Sequence, residues 1–312
     1  GSESIVDGNG GVVHVCPSDD VVREYRSQMR RQQRHRRDLD AKRDLPAETL
    51  DGLSITLLAN IDLPKEIELA VDNGARGVGM YRTEFLYLNY RLPSEKEQFQ
   101  AYAKIVEAMA PAPVTIRTID LGGDKLSHVL DVKTEDNPFL GWRGLRICLD
   151  EPDLFKTQLR ALLRASNLGK LRILLPMISD TQEIVRARAL MDEVKEELRA
   201  SGQAFGEDAE LGVMVEVPSV ALMVDRFAPH CDFLSLGTND LTQYVLAVDR
   251  GNSKVASLYD PFHPAVLQLI KTVANAGVSH AKPVNICGEM AGDPLATVLL
   301  IGLGLNRLSL SP

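Results

Sequence analysis

The sequence predicts an α/β protein built on a (β/α)8 TIM-type barrel with its last helix missing, preceded by a short β-hairpin and a linker helix. From residue 53 onward, short apolar runs of strand composition alternate with longer stretches of helical periodicity. Eight such strands that alternate with helices over roughly 250 residues are typical of a parallel (β/α)8 barrel. A doubly wound parallel sheet is the competing topology.

The hairpin is predicted at the start of the chain. The predicted short strands 5–7 and 12–15 flank the sequence Gly8-Asn9-Gly10-Gly11, and Asn-Gly between mainly apolar strands favours a tight turn. An isolated hairpin is marginally stable, so we expect residues 1–17 to pack on something larger or to be the stub of a missing domain.

A charged helix follows as a linker over residues 18–45. Ser18 and Asp19 are suitable helix caps, and residues 23–43 hold nine basic and three acidic residues with few apolar ones. A helix that is polar on all sides is typical of a solvated connection between domains. Leu45-Pro46 ends it, because the residue before a proline avoids the helical conformation.

The barrel is predicted over residues 46–312. The predicted strands are 54–60, 77–82, 114–120, 171–178, 212–217, 233–237, 284–287 and 308–310. Helical patterns lie between them, among others at 97–108, 153–165, 181–200 and 264–276. The chain stops at Pro312, directly after the eighth strand, so we expect a barrel truncated at its C-terminus, with an exposed apolar face where the eighth helix would pack.

Composition and charge argue against several classes of protein. Asp and Glu number 43 against 35 Lys and Arg, which gives a net charge of −8 and a pI near 5.4. This balance does not suit a nucleic-acid-binding protein. Apolar runs such as 296–301 are too short to cross a bilayer, and no signal segment opens the chain. The four cysteines lie far apart without a CxxC pair, as in a reduced, cytoplasmic protein without a thiolate zinc site.

Polar side chains stand where five of the predicted strands end. Active sites of (β/α)8 barrels lie at the carboxyl ends of the strands. The candidates are Arg82, Arg117, Glu216, Asn239, Asp240 and Cys287. Arginine binds phosphate and carboxylate in a bidentate manner, and two carboxylates with an amide suit a hard cation such as Mg²⁺. The residues therefore predict a site for a phosphorylated, acidic small molecule together with Mg²⁺.

Six segments resemble a known family. They are GVGMYRTEF at 77–85, RTIDLGGDK at 117–125, NPFLGWR at 137–143, GTNDLTQY at 237–244, AVDRGN at 247–252 and CGEMAGD at 287–293. Together they resemble the C-terminal phosphoenolpyruvate (PEP)-binding domain of Enzyme I of the bacterial PEP-dependent sugar phosphotransferase system. The resemblance extends from about residue 4 to the end of the chain. The nitrogen-branch paralogue shares the pattern, and the segments do not separate the two branches.

The resemblance implies a role for each matching residue. Arg82 and Arg117 would bind the phosphoryl group, and Cys287 would be the proton donor. Glu216 and Asp240 would be the Mg²⁺ ligands, while Asn239, Asp240 and Arg250 would contact the substrate. Arg143 and Lys125 match positions near the site. Apart from the resemblance, Asp120 can support the arginines rather than touch the substrate, and Glu289 can orient the metal ligands from outside, but the sequence assigns no role to Glu289.

The resemblance also implies the reaction and the partners. PEP would transfer its phosphoryl group to a histidine and leave as pyruvate. That histidine belongs to an N-terminal phosphohistidine domain absent from this chain, and residues 1–17 would be its hairpin stub. The phosphocarrier protein would be a partner of the full-length protein, and the barrel would form a homodimer.

Two alternatives stay open from the sequence. The chain can be a non-catalytic module that senses PEP or dimerises, or the barrel of an enzyme resembling pyruvate phosphate dikinase or PEP synthase. No GxxxxGK[ST] string is present, which argues against a P-loop kinase.

Overall fold

The computed structural model describes residues 3–8, 10–87, 91–122 and 135–312, without the side chains of residues 35 and 36. The chain divides into two compact units, residues 1–46 and 47–312.

The first unit is a hairpin with one helix. Strands β1 (Ser4–Asp7) and β2 (Val12–Val15) pair in antiparallel register, with Ser4 opposite Val15. Helix α1 (Asp19–Asp40) has two aspartates in its first turn, where the helix dipole favours negative charge. The Tyr25 hydroxyl of α1 donates to Asp7 Oδ2 at 2.9 Å, which connects the helix to the hairpin.

The second unit is a closed barrel of eight parallel strands, which confirms the predicted fold. The strands are β3 (Thr56–Ile61), β4 (Val78–Tyr81), β5 (Val114–Arg117), β6 (Leu171–Leu175), β7 (Glu210–Val215), β8 (Phe233–Leu236), β9 (Val284–Ile286) and β10 (Arg307–Leu310). Each strand pairs with the next along the chain, and β10 pairs in parallel with both β9 and β3. The competing doubly wound sheet is therefore wrong.

Helices lie between the strands. They are α2 (Glu66–Asp72), α3 (Glu95–Met109), α4 (Leu145–Asp150), α5 (Pro152–Ser166), α6 (Thr181–Ala200), α7 (Pro218–Leu222), α8 (Val224–Phe227), α9 (Thr238–Leu246), α10 (Pro264–Ser279) and α11 (Pro294–Gly302). Short 3₁₀ segments occur at Glu84–Tyr87, Ala228–His230, Ala256–Leu258 and Glu289–Gly292. Capping boxes begin α3 at Ser94 and α6 at Asp180. No helix of the described residues is long and apolar enough to cross a membrane.

The core has two layers. The larger layer packs outward-facing strand residues against the helices, and a smaller cluster fills the barrel interior with Met80, Leu174, Met214, Phe233 and Cys287. Gly212 makes room for the Phe233 ring, because a Cβ at this position would overlap it.

Several strands end earlier than predicted. The third was predicted to reach Asp120 but ends at Arg117, and the fourth was predicted to reach Ile178 but ends at Leu175. Beyond these points, backbone N–H groups donate to side chains instead of to a neighbouring strand. Ile119 N donates to Gln158 Oε1, and Met177 N donates to Glu216 Oε1. The strand ladder therefore stops where the site begins.

Candidate functional site

A cavity of about 520 Å³ opens at the carboxyl ends of the barrel strands. Residues that follow β3, β4, β5, β7, β8 and β9 line it. The sequence-predicted residues among them are Arg82, Arg117, Arg143, Glu216, Asn239, Asp240, Arg250 and Cys287. Lys125, the remaining predicted residue, lies outside the described residues. All the predicted site residues that the structure describes thus border one cavity.

Arg117 ends β5, and its guanidinium lies between two carboxylates. Nη2 donates to Glu84 at 2.5 Å, and Nη1 lies 2.8 Å from Asp120. The residue is buried. Burial alone would lower the pKa of this guanidinium, but Glu84 and Asp120 outweigh burial and raise the pKa above its ordinary value. Arg117 therefore keeps its positive charge inside the cavity.

Arg143 is also buried and bonds to two carboxylates at once. Nη2 donates to Asp120 at 2.9 Å and to Asp240 at 3.1 Å, and Nη1 donates to the Tyr244 hydroxyl at 3.3 Å. Burial would lower the pKa of this guanidinium, but Asp120 and Asp240 outweigh it and raise the pKa. This arginine joins the segment after β5 to helix α9, which carries Asp240 and Tyr244.

Asp120, Glu216 and Asp240 form a buried cluster in which each offers an oxygen within 4.8 Å of the others. Burial, followed by the charges of Asp120 and Asp240, raises the pKa of Glu216 to about 8. Asp240 Oδ1 is buried and accepts no hydrogen bond from the described residues, with the Arg250 guanidinium 3.7 Å away. Several carboxylate oxygens, one of them unsatisfied, suit a hard cation, so this cluster fits Mg²⁺.

Two further arginines stand at the rim of the cavity and are more exposed. Arg82 Nη1 donates to Asp62 Oδ1 at 2.6 Å. Arg250 lies 3.6 Å from Glu289. The Asn239 amide is paired with Glu289 in both directions, since Nδ2 donates to Glu289 Oε1 at 3.1 Å and Oδ1 accepts from Glu289 N at 2.9 Å. The rim arginines therefore each have a carboxylate partner that an anionic ligand would have to replace or share.

Cys287 lies buried at the end of β9, next to the cavity. The Ser235 hydroxyl donates to its Sγ at 3.3 Å, and Sγ lies 3.5 Å from the Leu236 carbonyl oxygen. Burial raises the pKa of the Cys287 thiol, so the group stays protonated near neutral pH. A protonated thiol that lies on the same cavity as two arginines and a carboxylate cluster has the chemistry of a proton donor.

A family model described as "PEP-utilising enzyme, PEP-binding domain" matches residues 36–312. The chain belongs to this family. The match includes the whole barrel and every residue of the cavity, so the resemblance to a PEP-binding domain is confirmed.

Curated relatives of this PEP-binding domain are named phosphoenolpyruvate-protein phosphotransferase. The protein from Staphylococcus carnosus is 46% identical over 312 residues, which are 100% of this chain and 54% of that protein. The protein from Bacillus subtilis is 46% identical over 314 residues, an alignment that covers 98% of this chain and 54% of that protein. The chain thus spans about half the length of these relatives.

A solved structure supports the fold alone. It is the HpcH/Hpal aldolase/citrate lyase family protein from Burkholderia cenocepacia, with a TM-score of 0.53 and 18% identity over 88% of this chain and 92% of that chain.

Sequence reasoning missed two acidic residues of the PEP-binding domain's cavity, Asp62 and Glu84. Asp62 directly follows β3, so the strand-end rule would have found it if applied to the first strand. Glu84 lies two residues after Arg82, within the segment GVGMYRTEF at 77–85. Asp120 was expected to support the arginines. It does so, and it also belongs to the carboxylate cluster.

Proposed function

We propose that this domain binds PEP together with Mg²⁺ and supports transfer of the phosphoryl group to a histidine, with release of pyruvate, as the first step of the PEP-dependent phosphotransferase system. The observation that carries the proposal is the convergence of four arginines, a buried carboxylate cluster and one buried thiol on a single cavity.

The arginines suit the charge of PEP, which carries a phosphate and a carboxylate. Arg117 and Arg82 would bind the phosphoryl oxygens, where negative charge spreads in the transition state of phosphoryl transfer. Arg250 and Asn239 would contact the rest of the substrate from the rim. Arg143 would hold Asp120 and Asp240 in place.

Glu216 and Asp240 would hold the cation, and the geometry of the cluster adds Asp120 to them. Mg²⁺ bound there would neutralise negative charge on the phosphoryl group and on the enolate oxygen. The buried position of the carboxylates keeps water away from these charges, which strengthens their interaction with a cation.

Cys287 would complete the reaction. When the bond between the bridging oxygen and phosphorus breaks and the bond from phosphorus to the histidine nitrogen forms, the enolate of pyruvate is left. The Cys287 thiol would give its proton to the methylene carbon of this enolate. The Ser235 hydroxyl, which donates to Sγ, would stabilise the resulting thiolate.

The phosphoryl acceptor would come from outside the barrel. No histidine is among the described residues that line the cavity. We infer that residues 1–17 belong to an N-terminal phosphohistidine domain, that residues 18–45 link it to the barrel, and that residues 46–312 bind PEP. The further proposals are that a phosphocarrier protein is the next acceptor, in sugar transport, and that the protein is a cytoplasmic homodimer through the barrel.

Calorimetric titration of PEP tests the site, with and without Mg²⁺, on the wild type, on Arg117→Ala and on Arg188→Ala. We expect Mg²⁺-dependent binding that Arg117→Ala abolishes. Arg188 is a matched control, because it pairs with Asp232 and neither residue lines the cavity, and its variant should bind as the wild type does. Absence of binding by the wild type, or equal binding by both variants, would overturn the proposal. Binding without phosphorylation of any added histidine domain would instead favour the PEP-sensing alternative.

A further inference from the structure

Gln158 of helix α5 is fully buried, and its amide contacts both strand ends that carry the phosphate-binding arginines. Its Oε1 accepts a hydrogen bond from Ile119 N at 3.0 Å. Its Nε2 donates to the Tyr102 hydroxyl at 3.1 Å and lies 3.5 Å from Thr83 Oγ1. Among the described residues, the hydrogen-bonding contacts of this side chain are therefore all made outside its own helix.

The two contacted positions lie between site residues. Ile119 stands between Arg117 and Asp120 in the chain, and Thr83 stands between Arg82 and Glu84. Thr83 Oγ1 in turn donates to the Arg117 carbonyl oxygen at 3.1 Å. The buried Gln158 amide and the buried Thr83 hydroxyl thus connect the segment after β4 to the segment after β5.

The strand ladder does not hold these segments. The last ladder bond of β5 on the side of β6 runs from Thr118 N to the Leu174 carbonyl oxygen at 3.0 Å. Beyond it, the N–H of Ile119 depends on Gln158, and a buried N–H without a partner is unfavourable. This side chain therefore helps to fix the backbone that leads to Asp120, one residue further, whose carboxylate also pairs with Arg117 and Arg143.

We propose that Gln158 is a positioning residue of the site, which fixes Arg117 and Asp120 relative to Arg82 and Glu84. The proposal rests on the proposed function of the cavity. Some residues do not touch the ligand but orient the groups that bind it. Replacing such a residue typically weakens ligand binding by about 10-fold or more. Gln158→Met keeps the volume and length of the side chain but removes every hydrogen bond.

Gln98 of helix α3 offers a matched control in the same buried network. It is buried as well, accepts from Tyr102 at 3.1 Å and from Tyr87 at 3.4 Å, and donates to the Pro93 carbonyl oxygen at 3.1 Å. None of these bonds reaches the strand-end residues 82–84 or 117–120. Gln98→Met therefore removes comparable buried hydrogen bonds, and it is connected to Gln158 only indirectly, through the Tyr102 hydroxyl.

The experiment compares the wild type, Gln158→Met, Gln158→Glu and Gln98→Met by thermal unfolding and by calorimetric titration of Mg²⁺ and of PEP. We expect both methionine variants to lose stability, but only Gln158→Met to bind PEP and Mg²⁺ about 10-fold more weakly or worse. Gln158→Glu keeps an oxygen for Ile119 N and should recover part of the affinity. Equal affinities of Gln158→Met and Gln98→Met would overturn the positioning role.

A second variant covers the case in which Gln158→Met does not fold. Thr83→Val removes the donor to the Arg117 carbonyl oxygen with little change of shape. It should weaken PEP binding several-fold, and unchanged affinity in this variant would overturn the proposal. If the wild type itself does not bind PEP, the proposed function fails, whereas binding by the wild type with no effect of these variants rejects only the positioning role.

Discussion

Arg143 donates two hydrogen bonds to the carboxylate of Asp120, from Nε at 3.2 Å and from Nη2 at 2.9 Å. Nη2 also reaches Asp240 at 3.1 Å. One guanidinium therefore holds two of the three clustered carboxylates and offsets their mutual repulsion.

Arg143→Met should destabilise the protein in the absence of divalent cations. Because the substitution leaves Asp120 and Asp240 buried and partly uncompensated, we expect a loss of about 3 kcal/mol in the free energy of unfolding. Urea denaturation in EDTA measures it. Arg188→Met, which removes a more exposed arginine, is the control and should cost far less. Similar losses in both variants would contradict the structural role of Arg143.

Asp62→Asn should raise the affinity for PEP. The Asp62 carboxylate accepts from Arg82 at 2.6 Å and competes with a phosphoryl oxygen for the same donor. Removal of one negative charge near a multiply charged anion is worth about 1 kcal/mol at an exposed position, or roughly fivefold in affinity.

Arg82→Ala should weaken binding about 10-fold or more, since a charged hydrogen-bond donor is lost. Calorimetry in buffers of low and high ionic strength measures both effects, and a loss of affinity in Asp62→Asn would show that Asp62 orients Arg82 instead.

Cys287→Ala should separate binding from turnover. The proposed role of the thiol is to give a proton, and it makes no ion pair in the described cavity, so PEP affinity should stay within about twofold. Pyruvate release, measured with a histidine-bearing domain supplied in trans, should fall by about 100-fold or more, which is the usual size of a proton-transfer contribution.

Cys231→Ala is the control for this prediction. Cys231 is buried among core residues away from the cavity, and its removal should leave turnover unchanged. Equal loss of PEP affinity and turnover in Cys287→Ala would count against a proton donor.

Glu216 should make the stability of the metal-free protein dependent on pH. Its pKa rises from a usual value near 4.5 to about 8 in the folded state. The folded protein therefore binds more protons than the unfolded chain between these values, and this contribution to stability is present at low pH and lost as the pH rises toward 8. The slope reaches at most about 1.4 kcal/mol per pH unit.

Glu216→Gln should flatten that slope, as measured by urea denaturation in EDTA across this pH range. In addition, Mg²⁺ binding to the wild type near neutral pH should release about one proton, which calorimetry detects in buffers of different ionisation enthalpy. Identical pH slopes in the wild type and in Glu216→Gln would refute the assignment.

Gly288→Ala should disturb the site through helix α9. A Cβ on Gly288 would overlap the Thr238 side chain and lie 2.9 Å from Thr238 N, at the start of the helix that carries Asn239 and Asp240. We expect a loss of stability of about 1–3 kcal/mol and weaker PEP binding. Gly302→Ala is the control, because a Cβ there meets nothing within 4 Å. Unchanged binding in Gly288→Ala would show that α9 tolerates the shift.

The fold and much of the site were predictable from the sequence because both depend on local patterns. Apolar runs of strand length alternate with stretches of helical periodicity, and this pattern predicted the bounds of the eight strands to within a few residues. Helix 181–200 has the predicted bounds. In a parallel barrel all strand ends meet at one rim, so Arg82, Arg117, Glu216, Asp240 and Cys287 could be placed near one another without any long-range information.

Tertiary structure alone decided which charges compensate which. The sequence does not show that Arg143 bonds to both Asp120 and Asp240, that Asp62 pairs with Arg82, or that Gln158 holds Ile119. Nor does it show that three carboxylates lie within 4.8 Å of one another. These relationships depend on side-chain direction and on burial, and hydrogen-bond and charge energies change steeply over a single ångström. A pattern along the chain fixes the rim on which a residue stands, whereas its partner is set by packing between segments distant in sequence.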